Sequence, residues 1–150
     1  MNISNKYVPN TLSKLDKKTQ RENIIRSRKM YKKGIYTNRK TLKSFKTKPS
    51  KHIQNAMTMY NISSVRPSRE LSRKTKCTVK GLKKIVNKGA GAYYASGSRP
   101  NQTPLSWGYA RLASSITGNK ASIIDNHILR EECKINSKAL ILSNKAKNNK

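Results

Sequence analysis

Apolar residues recur at helical spacing in several short stretches of this chain, separated by strongly polar ones. After Ser50, the apolar residues Ile53, Met57 and Tyr60 lie at positions i, i+4 and i+7, which is the spacing of one face of an α-helix. The pattern predicts a helix over about 50–60 with a single buried face.

A thinner apolar pattern predicts a helix over residues 11–33. Thr11 or Ser13 can cap its first turn, Asp16 lies near its positive end, and Gly34 is a suitable stop. Its other positions are largely Lys and Arg, so we expect one narrow packed face and an exposed basic surface. The apolar positions are Leu12, Leu15, Ile24, Ile25, Met30 and Tyr31.

Residues 35–50 lack a helical period, and Leu42 and Phe45 stand alone among basic residues. We therefore expect a basic arm, in an extended conformation or a short hairpin.

Residues 67–89 contain two short helical patterns around a break at residues 75–77. The first begins at Ser68, and the second begins with Thr78 as its cap and ends at Gly89. Two helices about a tight turn form a helix-turn-helix, whose second helix enters the major groove of DNA. A plain helical hairpin with a basic surface is the alternative. The basic positions of the second helix are Lys80, Lys83, Lys84 and Lys88.

The following segment, residues 89–119, carries only two charged side chains, Arg99 and Arg111. Its glycines predict a loop up to Thr103, which caps a helix that starts at Pro104 and closes at Gly118. A last helix is predicted over about 120–132, with Ile123, Ile124, Ile128 and His127 on its inner side.

These elements predict an all-α fold: a small single domain of four to six short helices with a helix-turn-helix-like pair. Residues 1–48 are the basic N-terminal helix and arm, and residues 49–134 are the helical core. Residues 135–150 are expected to be a basic, disordered tail.

The net charge of the chain predicts the kind of partner that it binds. The chain has 34 Lys and Arg against 6 acidic residues, a formal net charge of +28. A solvated surface normally intersperses acids with bases, and here the acids are missing. Nucleic-acid phosphates supply the missing counter-charge. The expected phosphate contacts are Arg26, Arg28, Lys29, Lys32, Lys33, Lys43, Lys46, Lys80, Lys83, Lys84 and Lys88.

The nearly uncharged segment, residues 89–119, could add more specific contacts. A glycine-rich stretch before a helix N-terminus can hold an anion with backbone N–H groups. Arg99 and Arg111 would make geometry-specific contacts to nucleic acid, while Tyr93 and Tyr94 could stack on bases or on a partner protein. The alternative is an ordered loop whose aromatic residues cover the core.

Residues for catalysis or metal binding are sparse, since the chain has six acids, two His and two Cys. We expect no enzyme activity, no metal site and no cofactor. Cys77 and Cys133 lack a CxxC partner and are interpreted as unpaired buried thiols, with a disulfide as the alternative. No apolar run approaches the roughly 18 residues of a membrane span, and the N-terminus lacks an apolar signal core. We therefore expect neither a membrane protein nor a secreted one.

Four segments resemble a family of small basic proteins of unknown function, encoded by large DNA viruses of algae and amoebae and by related phages. The segments are SRKMYKKG (27–34), ELSRKTKC (70–77), LKKIVNKGAGAYYASGSRPNQTP (82–104) and SWGYARLASSITG (106–118). The resemblance spans about residues 6–134 and is most distinctive from Gly89 to Gly118. It implies a viral origin and a location in the virion or inside the host cell, and it brings no catalytic residues.

The combined expectation is a viral structural or packaging protein that neutralises the phosphate charge of DNA, or of RNA, with little sequence preference. Lys, which outnumbers Arg, acts as a point charge on phosphate, whereas Arg makes bidentate base contacts. One alternative is a minor capsid or scaffold protein that binds acidic viral proteins. Another is a helix-turn-helix transcriptional regulator. The oligomeric state is left open by the sequence.

Overall fold

The computed structural model describes residues 2–149 and is helical without strands in that range. The all-α prediction is confirmed, but the described residues form eight α-helices and one 3-10 helix rather than four to six helices. The 3-10 helix spans Asn5–Tyr7. The α-helices are α1 (Lys14–Lys32), α2 (Lys51–Tyr60), α3 (Arg69–Thr75), α4 (Val79–Ala95), α5 (Pro104–Ile116), α6 (Lys120–Ile124), α7 (Asn126–Glu132) and α8 (Lys138–Asn148).

Serine hydroxyls set several helix starts by accepting a hydrogen bond from a backbone N–H three residues further along. The serines concerned are Ser13, Ser50, Ser68 and Ser137. The predicted starts of α2 and α3 are thereby confirmed, and of the two caps predicted for α1 it is Ser13 that begins the helix, at Lys14 rather than residue 11. Ser137 begins a helix where a disordered tail was expected, so that prediction is wrong for residues 138–148.

The predicted end of the second helix of the 67–89 pair is also wrong. α4 begins after Thr78, whose hydroxyl accepts from the N–H of Gly81, but it continues through Gly89 to Ala95. The stop is Gly97, which has a φ of +134° and donates its N–H to the carbonyl of Ala92. A helix-turn-helix is not established by the presence of α3 and α4, and remains a prediction.

The predicted helix over 120–132 is divided into α6 and α7 at Asp125, whose side chain is completely buried. Two of the residues assigned to its inner side lie outside instead: Ile124 is 59% exposed, and His127 is exposed.

The chain forms two compact units. The N-terminal unit comprises residues 2–48 and 90–107, and the C-terminal unit comprises residues 49–89 and 108–149. This grouping places the 90–107 segment with the N-terminal residues rather than with the expected core at 49–134.

The N-terminal unit has a small apolar cluster of Val8, Leu12 and Leu42. The predicted arm is held in place within this unit by Asn101. The side chain of Asn101 accepts from the N–H of Leu42 and donates to the carbonyls of Leu42 and Phe45. Leu15, expected on the packed face of α1, is 72% exposed.

The C-terminal unit contains the larger core, in which α8 packs against α6 and α7. Cys77 and Cys133 form a disulfide across an isolated β-bridge, so the interpretation as unpaired thiols is wrong. No helix among residues 2–149 is long and apolar enough to cross a membrane.

Candidate nucleic-acid interface

The C-terminal half of α1 carries the densest set of predicted contact residues. Arg26, Lys29, Lys32 and Lys33 are exposed. An open groove of about 360 Å³ runs along this helix and is lined by Glu22, Ile25, Arg26, Lys29, Met30 and Lys33. The helix thus presents three cationic side chains around one shallow apolar depression.

Arg28 differs from these neighbours because its guanidinium is held inside the N-terminal unit. Its Nε donates to the carbonyl of Ser96 at 2.8 Å, and its Nη1 donates to the carbonyl of Asn2 at 2.9 Å. The arm contributes exposed Lys43 and Lys46 to the same unit, and Arg99 is exposed as well.

The basic residues of α4 in the C-terminal unit are not equivalent to one another. Lys80 and Lys83 are exposed, and Lys84 is half-buried. The ammonium of Lys88 lies 3.7 Å from Oδ1 of Asp125, so it already has an anionic neighbour.

Arg111 has an intramolecular partner that the sequence did not reveal. Its Nε and Nη2 donate to the two oxygens of the Asp125 carboxylate at 3.0 and 2.7 Å, and Ser115 Oγ donates to the same carboxylate at 2.7 Å. This bidentate geometry is the one that Arg uses with planar oxyanions. The predicted contact of Arg111 with nucleic acid stays a prediction, and the ion pair alone accounts for the position of its side chain.

The glycine-rich stretch before α5 is a loop only in part, and its role in holding an anion stays a prediction. Residues 90–95 are helical instead. Ahead of α5, Thr103 Oγ1 accepts from the N–H of Ser106, and Ser106 Oγ accepts from the N–H of Thr103. This reciprocal capping box occupies N–H groups that an anion would need.

The two predicted aromatic contacts have different environments. Tyr93 is only 2% exposed, and the Arg39 guanidinium lies 3.6 Å from its ring centroid, so its ring is not available for stacking in this conformation. Tyr94 is half-buried, and its ring stacks on Tyr31 with centroids 5.7 Å apart. Its partial burial, with Tyr93 and Tyr36 nearby, raises the pKa of the Tyr94 hydroxyl.

Two members of this aromatic group, Tyr31 and Tyr36, were not predicted as contacts from the sequence. Tyr36 packs on both Tyr31 and Tyr94, with centroids 5.9 and 5.0 Å apart. The spacing of Tyr31, Tyr36 and Tyr94 along the chain gives no signal of this contact. We call these three residues the tyrosine patch.

Most basic side chains in the described part of the chain lack an acidic partner. Among residues 2–149, ion pairs engage only three basic side chains: Lys74 with Glu70, and Lys88 and Arg111 with Asp125. The described residues also contain no group of His, Cys, Asp or Glu that could hold a metal ion.

Residues 5–131 match a protein family described as "Family of unknown function (DUF5824)". No curated protein and no solved structure matches the chain.

Proposed function

This chain belongs to the family of unknown function DUF5824, and we propose that it binds DNA through the phosphate backbone, with little sequence preference. The observation that carries the proposal is the exposed, unpaired positive charge of the molecule. The chain has 34 Lys and Arg, and only three of them form ion pairs among the described residues.

The proposed contacts in the N-terminal unit are Arg26, Lys29, Lys32, Lys33, Lys43 and Lys46, which are all exposed. This unit carries 16 Lys and Arg against Asp16 and Glu22. Asp16 is itself occupied, because its carboxylate accepts hydrogen bonds from the hydroxyl and the N–H of Ser44. Lys80 and Lys83 are the corresponding candidates in the C-terminal unit.

A structural or packaging role in a viral particle is part of the proposal. That role rests on the resemblance to small basic proteins of large DNA viruses, while the excess of Lys over Arg supports binding with little sequence preference. Two other roles make different predictions. A scaffold for acidic viral proteins would bind DNA weakly near a physiological salt of about 0.15 M. A helix-turn-helix regulator would prefer one site over bulk DNA.

The test compares two variants in binding to a mixed-sequence duplex, measured by fluorescence anisotropy. Lys29→Gln/Lys33→Gln removes two unpaired charges from α1. Lys74→Gln is the control, because Lys74 donates to the carbonyl of Asn61 and lies 3.9 Å from Glu70.

We expect the α1 variant to weaken binding and the control to bind close to wild type. Preference of the wild type for one DNA site over bulk DNA, relaxed by substitutions in α4, would favour the regulator. Absence of measurable DNA binding by the wild type would contradict the proposal.

A further inference from the structure

We propose that the tyrosine patch stacks on unpaired bases, so that the protein binds single-stranded nucleic acid more tightly than its charge alone explains. The inference rests on the nucleic-acid binding proposed above and adds a class of ligand to it. Three tyrosine rings from distant points of the chain meet in the N-terminal unit, and the most exposed of them is Tyr36, at 68%.

Contacts within the N-terminal unit hold the ring of Tyr94 in place. Tyr94 packs edge-on against buried Tyr93, with ring centroids 5.2 Å apart and planes at 90°. Arg39 covers Tyr93 and donates from Nη2 to Ser98 Oγ at 3.0 Å. Ser27 Oγ donates to the carbonyl of Tyr94 at 3.1 Å. These contacts fix the ring of Tyr94 before a ligand arrives, which lowers the entropic cost of stacking.

A turn at the end of α1 brings Tyr36 back against Tyr31 and Tyr94. Gly34 has a φ of +77°, in the left-handed region that favours glycine. The N–H of Gly34 bonds to the carbonyl of Tyr31, and the N–H of Ile35 bonds to the carbonyl of Met30. The chain thus reverses over two residues and places Tyr36 beside Tyr31.

The ring geometry favours stacking on the outside of the patch. Tyr31 and Tyr94 are within 9° of parallel, and Tyr36 is tilted by 47° against both. The three rings already contact one another, so a base cannot be inserted between them. The exposed ring of Tyr36 offers a free face on which one base can stack.

The charge around the patch suits a strand that carries phosphates. Lys32 and Lys33 are exposed in the last turn of α1 and directly after it, and Lys40 is exposed after Arg39. No acidic residue occurs between Glu22 and Glu70. Alternating aromatic rings and cations are how sequence-tolerant single-strand binders hold bases and backbone together. In a duplex the base faces are covered by their neighbours, so the patch would gain nothing there.

The hydroxyls of the patch leave its edge open to the ligand. Those of Tyr31, Tyr36 and Tyr94 make no hydrogen bond within the described part of the chain, whereas Tyr60 donates to the carbonyl of Ile116. The stacking itself needs only the rings, so Phe should replace Tyr at position 36.

The experiment measures the affinity of the full-length protein for three ligands of matched length, about 20 nucleotides. The ligands are oligothymidylate, an abasic strand with the same phosphates, and a duplex. The variants are Tyr36→Ala, Tyr36→Phe and, as a control, Ile35→Ala, which removes a neighbouring side chain that is 48% exposed. Circular dichroism and thermal unfolding establish that each variant is folded.

We expect wild type to bind oligothymidylate about tenfold more tightly than the abasic strand. Tyr36→Ala should abolish that difference without changing the slope of affinity against salt, while Tyr36→Phe and Ile35→Ala should retain it. Equal binding of oligothymidylate and abasic strand by wild type, with both bound well, would overturn the stacking site and leave phosphate binding intact. Failure to bind any of the three ligands would overturn both proposals.

Discussion

Asp125 carries a buried charge in the C-terminal unit. Its carboxylate is completely buried, and an ionised carboxylate in the interior is costly unless it is paired and hydrogen-bonded. Arg111 and Ser115 supply three hydrogen bonds to it. Arg111 therefore stabilises the buried Asp125 carboxylate, a role that the sequence around Arg111 does not predict.

Removing one partner of this pair should be far more damaging than removing one partner of a surface pair. We expect Arg111→Met to lower the free energy of unfolding by about 3–5 kcal/mol, because it leaves the Asp125 carboxylate buried with only the more distant Lys88 as a cation. Lys74→Met, which breaks the exposed pair with Glu70, should cost about 0–1 kcal/mol.

Urea unfolding followed by circular dichroism measures both variants under one set of conditions. Similar small losses for the two substitutions would show that the Arg111–Asp125 pair does not support the fold.

Asp16 gives the N-terminal unit a defined pH dependence. Hydrogen bonds from the side chain and the backbone of Ser44 hold the pKa of its carboxyl below the ordinary 3.8. At a pH between the folded pKa and 3.8, the folded state therefore binds fewer protons than the unfolded state. The stabilisation by Asp16 is fully present above pH 3.8 and is lost as the pH falls through the folded pKa.

An NMR titration of the Asp16 carboxyl is expected to give a midpoint below 3.8, and Ser44→Ala should move that midpoint upward. A midpoint at or above 3.8 in the wild type would remove Ser44 as the stabilising partner.

At the scale of elements, side-chain caps and two of the three glycine stops could be predicted, since Gly34 and Gly118 have φ values of +77° and +74° just after the ends of α1 and α5. A hydroxyl at Ser13, Ser50 or Ser68 acts within three residues, so its effect is visible in the sequence. Gly89 was assigned as a helix stop, yet it lies inside α4. A Cβ built there would lie 2.6 Å from the Cα of Gly108, so the residue serves a close approach of two helices that only the folded chain reveals.

Gly108 provides the sharper test of this close approach. A Cβ at Gly108 would lie 2.5 Å from the carbonyl oxygen of Val86, which is backbone and cannot move aside cheaply. We expect Gly108→Ala to destabilise by about 1–3 kcal/mol. Gly91→Ala, also in α4, meets only Tyr31 Oη at 3.5 Å and should be neutral or stabilising by up to about 1 kcal/mol.

Thermal unfolding of the two alanine variants distinguishes the roles of the two glycines. If Gly108→Ala is as stable as Gly91→Ala, the close approach of α4 and α5 in the C-terminal unit is wrong.

The disulfide could be predicted only as an alternative, because its cysteines are 56 residues apart and nothing local marks them as neighbours. It links the turn between α3 and α4 to the end of α7. We expect reduction to lower the stability by about 2–4 kcal/mol, through a less constrained unfolded chain.

Alkylation with iodoacetamide under denaturing, non-reducing conditions should leave both cysteines unmodified, and alkylation after reduction should modify both. Labelling of either thiol before reduction would contradict the bond.

At the scale of the whole molecule, the net charge of +28 follows from counting residues, whereas the distribution of that charge over the surface could be predicted only in part. The exposed cations of α1 follow from a helix with few apolar residues. The engagement of Arg28 with backbone carbonyls does not, since it depends on residues 2 and 96. The tyrosine patch joins residues 31, 36 and 94, and such contacts arise only from tertiary packing.

Unpaired exposed cations that neutralise phosphate make binding depend strongly on salt, so the slope of affinity against salt measures their role. Affinity for a mixed-sequence duplex is measured between about 50 and 200 mM salt, where each phosphate contact contributes about −0.9 to the slope of log affinity against log salt. We predict a steep negative slope, reduced by about 1 for each of Lys29→Gln and Lys33→Gln and unchanged by Lys74→Gln. A flat salt response of the wild-type protein would contradict the account.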